Sequence, residues 1–204
     1  MKENRSGFPL KRVIAAALLM MLCLSFSLSA QASQKSKALK AYKSFLAKQK
    51  AEFSFSLIYL DKNSVPELIL QEHRFNVGYV YTYKNGKVTP ANGTGKSPFA
   101  YYKKKGILIS GWRFGGGSSV ESATAYSRLK DGKVSLALAD VTKSSYKNGS
   151  LVNTQEYRKY TDDSGKYILI SNLKSELKKI VGTRKKTKIK YYKNTAANRK
   201  KRLR

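Results

Sequence analysis

Turn dipeptides set at intervals between short alternating segments constrain the fold of this chain more than any other feature. Asn85-Gly86 separates Tyr79-Val80-Tyr81-Thr82-Tyr83 from Lys87-Val88, and Asp131-Gly132 separates Ala125-Tyr126 from Val134-Ser135-Leu136. Both dipeptides suit the positive φ angles of a type I′ turn, whose twist matches two antiparallel strands. Lys105-Gly106 divides Phe99-Ala100-Tyr101-Tyr102 from Ile107-Leu108-Ile109, and Asn148-Gly149 divides residues 141–146 from 150–157. Such a series implies an antiparallel meander of hairpins. The 14 tyrosines fit it, because their rings cover a half-buried pleated face while their hydroxyls reach water.

The flanks of the meander read differently. Residues 33–50 place Leu39, Tyr42, Phe45 and Leu46 on one face of a helix, with lysines elsewhere. Phe53, Phe55, Leu57 and Tyr59 then alternate, and a connector over 61–65 leads to a second apolar run at 68–70, giving two strands. Ser171-Asn172 caps a helix over 173–181, with Leu173, Leu177 and Ile180 as its stripe and Gly182 as its end. Residues 183–204 hold 11 Lys+Arg and no acid, with a strand expected at 189–192 and a last helix at 196–203. A segment so basic is expected to be mobile or peripheral. The fold class is therefore α+β: an N-terminal helix, an antiparallel meander, a C-terminal helix and a basic tail.

The first 32 residues set the compartment. Lys2, Arg5, Lys11 and Arg12 precede an apolar stretch over 13–24, and small residues end in Ala30-Gln31-Ala32. That is the layout of a secretory signal peptide cleaved after Ala32. The expected organisation is a leader at 1–32, a globular domain at 33–182 and a tail at 183–204. The only cysteine, Cys23, falls in the leader, so the exported form has no disulfide, thiolate nucleophile or cysteine metal ligand. Met20-Met21-Leu22 before it does not suit lipid attachment, and no Leu-Pro-x-Thr-Gly signal is present. A bacterial protein, extracellular or retained at the envelope, is the expectation.

Leaving out the four basic residues and one acid of the leader, the exported form carries 37 Lys+Arg against 11 Asp+Glu, a net of +26. Such a field draws polyanions in a salt-dependent way. Outside a bacterium these are teichoic acids, anionic lipid headgroups, acidic polysaccharides and released DNA. Lysine dominance favours diffuse attraction over bidentate recognition. The expected polyanion-binding residues are Arg184, Lys185, Lys186, Lys188, Lys190, Lys193, Arg199, Lys200, Lys201, Arg202 and Arg204.

Residues 55–70 hold a further motif, in which an apolar strand runs through Asp61-Lys62-Asn63-Ser64-Val65 into Pro66-Glu67-Leu68. This resembles the strand, Asp-x-Asp-x-Asp-Gly-x-Pro-Glu-Leu loop and strand of uncharacterised secreted Firmicutes proteins, a segment of FG-GAP or VCBS-like style. The likeness implies a calcium ion held by Asp61, Asn63 and Glu67. Tyr59 stands where the pattern has its first aspartate, Asn63 for the last and Ser64 for the glycine, so the loop is degenerate and single. The hairpin at 81–88 and the ending at 193–201 are similar to segments of the same group.

Trp112-Arg113-Phe114-Gly115-Gly116-Gly117 is the other conspicuous stretch. Trp112 offers a platform for a sugar ring, or fills a core near a hairpin end before an irregular loop. No catalytic constellation stands out: His73 is the only histidine, no Gly-x-Ser-x-Gly elbow occurs, and Glu67, Glu72 and Glu121 are merely the available carboxylates. The expected function is a secreted, non-enzymatic protein without a cofactor that associates electrostatically with envelope polymers such as teichoic acid. A calcium-dependent adhesion or carbohydrate-binding module and a secreted degradative enzyme are the alternatives.

Overall fold

A computed structural model describes residues 32–161 and 167–204. The leader at 1–31 lies outside the described residues. The described part of the first helix, α1, covers 32–47. Strands β1 (Ser54–Ile58), β2 (Glu67–Glu72), β3 (Val77–Lys84) and β4 (Lys87–Lys96) follow in an antiparallel run. Then come β5 (Pro98–Tyr102), β6 (Ile107–Gly116), β7 (Ser119–Lys130), β8 (Lys133–Lys147), β9 (Ser150–Thr161) and β10 (Tyr167–Leu169). Helix α2 (Leu173–Val181), strands β11 (Lys186–Lys188) and β12 (Tyr192–Lys193), and helix α3 (Ala196–Arg202) complete the chain. The class is α+β and mostly sheet.

The meander is divided between two sheets, ordered β12-β1-β2-β3-β4 and β10-β9-β8-β7-β6-β5-β11. Only Ser97 separates β4 from β5, so the chain changes sheet at one residue. Period-two alternation gives the first sheet two apolar faces. Phe55, Leu68 and Leu70 face α1, whose Ala38, Leu39, Tyr42 and Leu46 are buried against them. Ile58, Ile69 and Val80 face the second sheet and pack on Tyr101 and Leu108. On the far side of the second sheet, Ala100, Tyr102, Ile107 and Ile109 meet α2 through Val181, Leu177 and Ile180. The architecture is a sandwich of sheets with a helix against each outer face.

Three hairpins turn on the dipeptides that mark them in the sequence. Asn85, Asp131 and Asn148 take φ of 52° or less, and the glycine after each lies near 78°. Lys105-Gly106 belongs instead to a four-residue connection in which Lys104 has φ 60°. Residues 134–136 and 141–146, which read as separate segments, lie on one 15-residue strand, β8. Helix α2 has the expected bounds, with the Asn172 side chain accepting from Ser175 N.

The basic segment departs most from expectation. It is not a detached tail, but is paired to the edge of each sheet and bonded to the end of α1. β11 pairs with β5 at one edge of the second sheet, and β12 pairs with β1 at one edge of the first. Between them, in place of the expected strand at 189–192, Ile189 and Tyr191 lie against the inter-sheet core. The Tyr191 hydroxyl donates to Pro98 O at 2.7 Å. Asn194 is buried and its amide donates to Leu46 O, Gln49 O and Lys50 O at 2.8, 3.4 and 3.3 Å, satisfying carbonyls at the end of α1. Leu203 closes the segment by joining the core under α1.

Candidate functional site

The strand pairing of 183–204 sets where its cations point. Arg184, Lys185, Lys186, Lys188, Lys190, Lys193, Lys200, Lys201, Arg202 and Arg204 are all exposed. Arg199 is the exception among the eleven. Its guanidinium donates to Asn194 O at 3.1 Å and Asn194 Oδ1 at 2.9 Å, so it orients the amide that caps α1. It belongs to the scaffold and not to the binding set. Among the described residues none of the other ten is paired with a carboxylate. Their nearest engagements are with rings and carbonyls: the Arg202 guanidinium lies 4.0 Å from the Tyr192 ring centroid, and Arg204 Nε donates to Lys200 O. Lys35 and Lys103, from α1 and the β5–β6 connection, gather over Tyr59 at 5.7 and 5.8 Å. Spacing alone does not single them out, because they lie far apart in the chain.

The Asp61 turn spends its side-chain oxygens on its own bonds. Asp61 accepts from Asn63 N at 2.9 Å and Asn63 Nδ2 at 2.6 Å, and Asn63 Oδ1 accepts from Val65 N at 2.8 Å. Glu67 is buried and accepts from Leu60 N at 2.8 Å. Burial, then the nearby Asp61 charge, push its carboxyl up to about 8, so it holds its proton at neutral pH. The same burial, and then the Glu67 charge, raise the Tyr42 phenol above its usual range while its hydroxyl donates to Pro66 O at 3.0 Å. Asp61, Asn63 and Glu67 do line one cleft of about 320 Å³ with Tyr83 and Asp131. Calcium asks for six to eight converging oxygens, most of them anionic or carbonyl. With Asp61 and Asn63 bonded to each other and Glu67 bonded to Leu60 N, these side chains leave fewer free oxygens than that demand.

Trp112 is on β6, half-buried, with its ring 5.1 Å from that of exposed Phe114 on the same face. It belongs to no core cluster among the described residues, and in place of an irregular loop Gly115 and Gly116 belong to β6 while Gly117 falls in the tight turn to β7. Gly115 has φ 102°, and a Cβ there would sit 2.2 Å from Ser119 O, so the β6–β7 hairpin requires glycine at this point. The carboxylates weighed for catalysis do not pair. Glu67 and Glu72 lie at opposite ends of β2, about 16 Å apart at strand rise, and Glu121 is on β7. His73 Nε2 meets Ser54 Oγ at 2.8 Å and not a carboxylate.

No family model and no curated protein matches the chain. Among solved structures it is similar to that of a Xanthomonas type IV secretion system related protein, at 13% identity and a TM-score of 0.40. That alignment covers 61% of this chain and 60% of the other, and a likeness of this size carries no functional argument. Among the described residues no helix is long and apolar enough to cross a membrane.

Proposed function

We propose that this is an exported, non-enzymatic protein that binds anionic polymers of the bacterial envelope through a cationic surface fixed to its fold. The observation that carries the reading is the display of 183–204. Ten exposed cations sit on or beside strands and a helix that the two sheets and α1 hold in place. A phosphate-bearing chain laid along them releases its condensed counterions, which makes affinity fall steeply as salt rises. Because the main chain that carries the cations is paired into the sheets and they have no carboxylate partners among the described residues, binding orders side chains but no backbone and breaks no ion pair. The leader and the absence of cysteine from the exported form agree with a bacterial extracellular setting.

The test is binding of the exported form to purified cell walls, with and without teichoic acid, across a salt series. Binding that requires the polymer and weakens with salt is expected. A variant with Lys185, Lys186, Lys188 and Lys190 changed to Ala should show a shallower salt dependence. An unchanged slope, or binding indifferent to teichoic acid, refutes the reading. Removing the segment outright is not a usable test, because it also removes two strands and the cap of α1.

A further inference from the structure

A groove of about 290 Å³ opens where α1, the β1–β2 connection, β12 and the end of α3 meet. Buried Leu39 and Phe55 give it an apolar interior. Lys35, Arg202 and Arg204 are its charged lining, and no acidic residue among the described residues lines it. Two of its rings each gather a pair of cations. Tyr192 carries Arg202 at 4.0 Å and Lys190 at 5.8 Å, and Tyr59 carries Lys35 at 5.7 Å and Lys103 at 5.8 Å. Three cations, Lys35, Arg202 and Arg204, thus line one concavity from two ends of the chain, with Lys103 and Lys190 beside its tyrosine rings.

Three features distinguish this groove from the rest of the basic surface. Its cations include two arginines, whose planar forks match phosphate oxygens in a way that ammonium groups do not. Arg202 lies over the Tyr192 ring, so it is held before any ligand arrives and gives up less freedom on binding. The apolar interior offers nothing to a bare inorganic anion, but it can cover the carbon skeleton that joins one phosphate to the next. Resting on the polyanion reading above, we propose that the groove seats one phosphodiester unit of a polyol-phosphate polymer, its phosphate between Arg202, Arg204 and Lys35 and its polyol against Tyr59 and Tyr192. Such a seat gives the protein a fixed point of attachment, with the remaining cations of 183–204 holding the neighbouring repeats by charge alone.

The experiment is calorimetric titration of the exported form with purified, deacylated poly(glycerol phosphate) at near-physiological salt. R202A/R204A is compared with K186A/K188A, which removes the same charge from exposed positions on β11. The groove predicts roughly a tenfold loss or more for the first pair and about two- to threefold for the second, a difference of about 1 kcal/mol. R202K keeps the charge and loses the planar stack, and should cost several-fold as well. Arg202 and Arg204 are exposed, so these variants should melt with the parent, and a melting curve verifies it. Equal losses for both pairs, or an R202K variant that binds like the parent, overturn the groove while leaving the polyanion reading intact. A parent that binds no polymer overturns both. Preference for phosphatidylglycerol vesicles over the polymer also overturns the proposal and reassigns the groove to a lipid headgroup.

Discussion

Replacing Asn194 with Ala tests whether the basic segment belongs to the fold. The Asn194 side chain is buried and supplies amide donors to Leu46 O at 2.8 Å and, at longer range, to Gln49 O and Lys50 O. An α-helix leaves its last carbonyls without internal partners, and here a side chain 148 residues further along supplies them. Alanine removes that donor; Leu46 O keeps its bond from Gln49 N at 3.1 Å, so the loss is that of a buried hydrogen bond, about 0.5–1.5 kcal/mol. It also removes the oxygen that Arg199 holds at 2.9 Å, so the total should fall near 2–3 kcal/mol. For a domain of this size that lowers the melting temperature by roughly 5–10 °C. Urea unfolding of the exported form, followed by the single Trp112 and by far-UV circular dichroism, gives the number. K200A, at an exposed position of α3, should stay within about 0.5 kcal/mol of the parent. An N194A variant as stable as K200A would show that α1 does not depend on the segment, and the scaffold argument would fail.

Further outcomes follow from individual contacts. The folded Glu67 carboxyl titrates near 8, above its ordinary 4.5, so the native state binds the extra proton and stability is lost as pH rises from about 4.5 to about 8. The slope in that window should approach −1.4 kcal/mol per pH unit, and E67Q, which can still accept from Leu60 N, should flatten it. A slope unchanged by E67Q would refute the assignment. Millimolar calcium should leave the melting temperature of the exported form where it was, since a ligand at about 100 times its dissociation constant would add about 2.7 kcal/mol. A clear rise would restore the Asp61 turn as a metal site. G115A should cost about 2 kcal/mol or more, because its Cβ meets Ser119 O at 2.2 Å with φ at 102°. G116A, where nothing lies within 4 Å, should cost far less, and matched thermal melts would expose any error in the β6–β7 geometry.

Local chemistry was legible in the sequence and long-range pairing was not. Asn85-Gly86, Asp131-Gly132 and Asn148-Gly149 mark their hairpins because a positive φ at two successive residues is a demand that few dipeptides meet. The bounds of α2 follow from Asn172 and Gly182 for the same kind of reason. The division of the meander into two sheets leaves no such mark. Ser97 changes sheet without a distinctive turn, and Ile58, Ile69 and Val80 look like any alternating positions until a second sheet covers them. The segment 183–204 misleads because composition averages over residues with opposite tasks. Eleven cations dominate its reading, while Tyr191, Asn194 and Leu203, three uncharged side chains, fix it in place. The groove was equally hidden, since Lys35, Tyr59 and Tyr192 meet only once α1 has packed on the first sheet and β12 has paired with β1.

Fixing those cations has a cost that salt should reveal. With 37 Lys+Arg against 11 Asp+Glu, residues 33–204 repel one another when folded, and the strands that carry Lys186, Lys188 and Lys193 are paired into the two sheets. Raising ionic strength shortens the screening length from about 10 Å at 0.1 M to a few ångströms at 1 M, which weakens that repulsion inside the folded chain. The melting temperature should therefore rise with sodium chloride over the range in which polymer binding falls. The two opposite trends share one cause, which is a set of cations in 183–204 that pair with no carboxylate among the described residues. An ion-paired surface would behave in the opposite sense, because salt screens attraction too, and its melting temperature would fall with its affinity. Melting curves of the exported form at 0.05 and 0.5 M sodium chloride, beside binding isotherms at the same two concentrations, decide between them. Parallel losses of stability and affinity would mean that the cations of 183–204 are compensated internally, and the surface would no longer be a reason to expect a polyanionic partner.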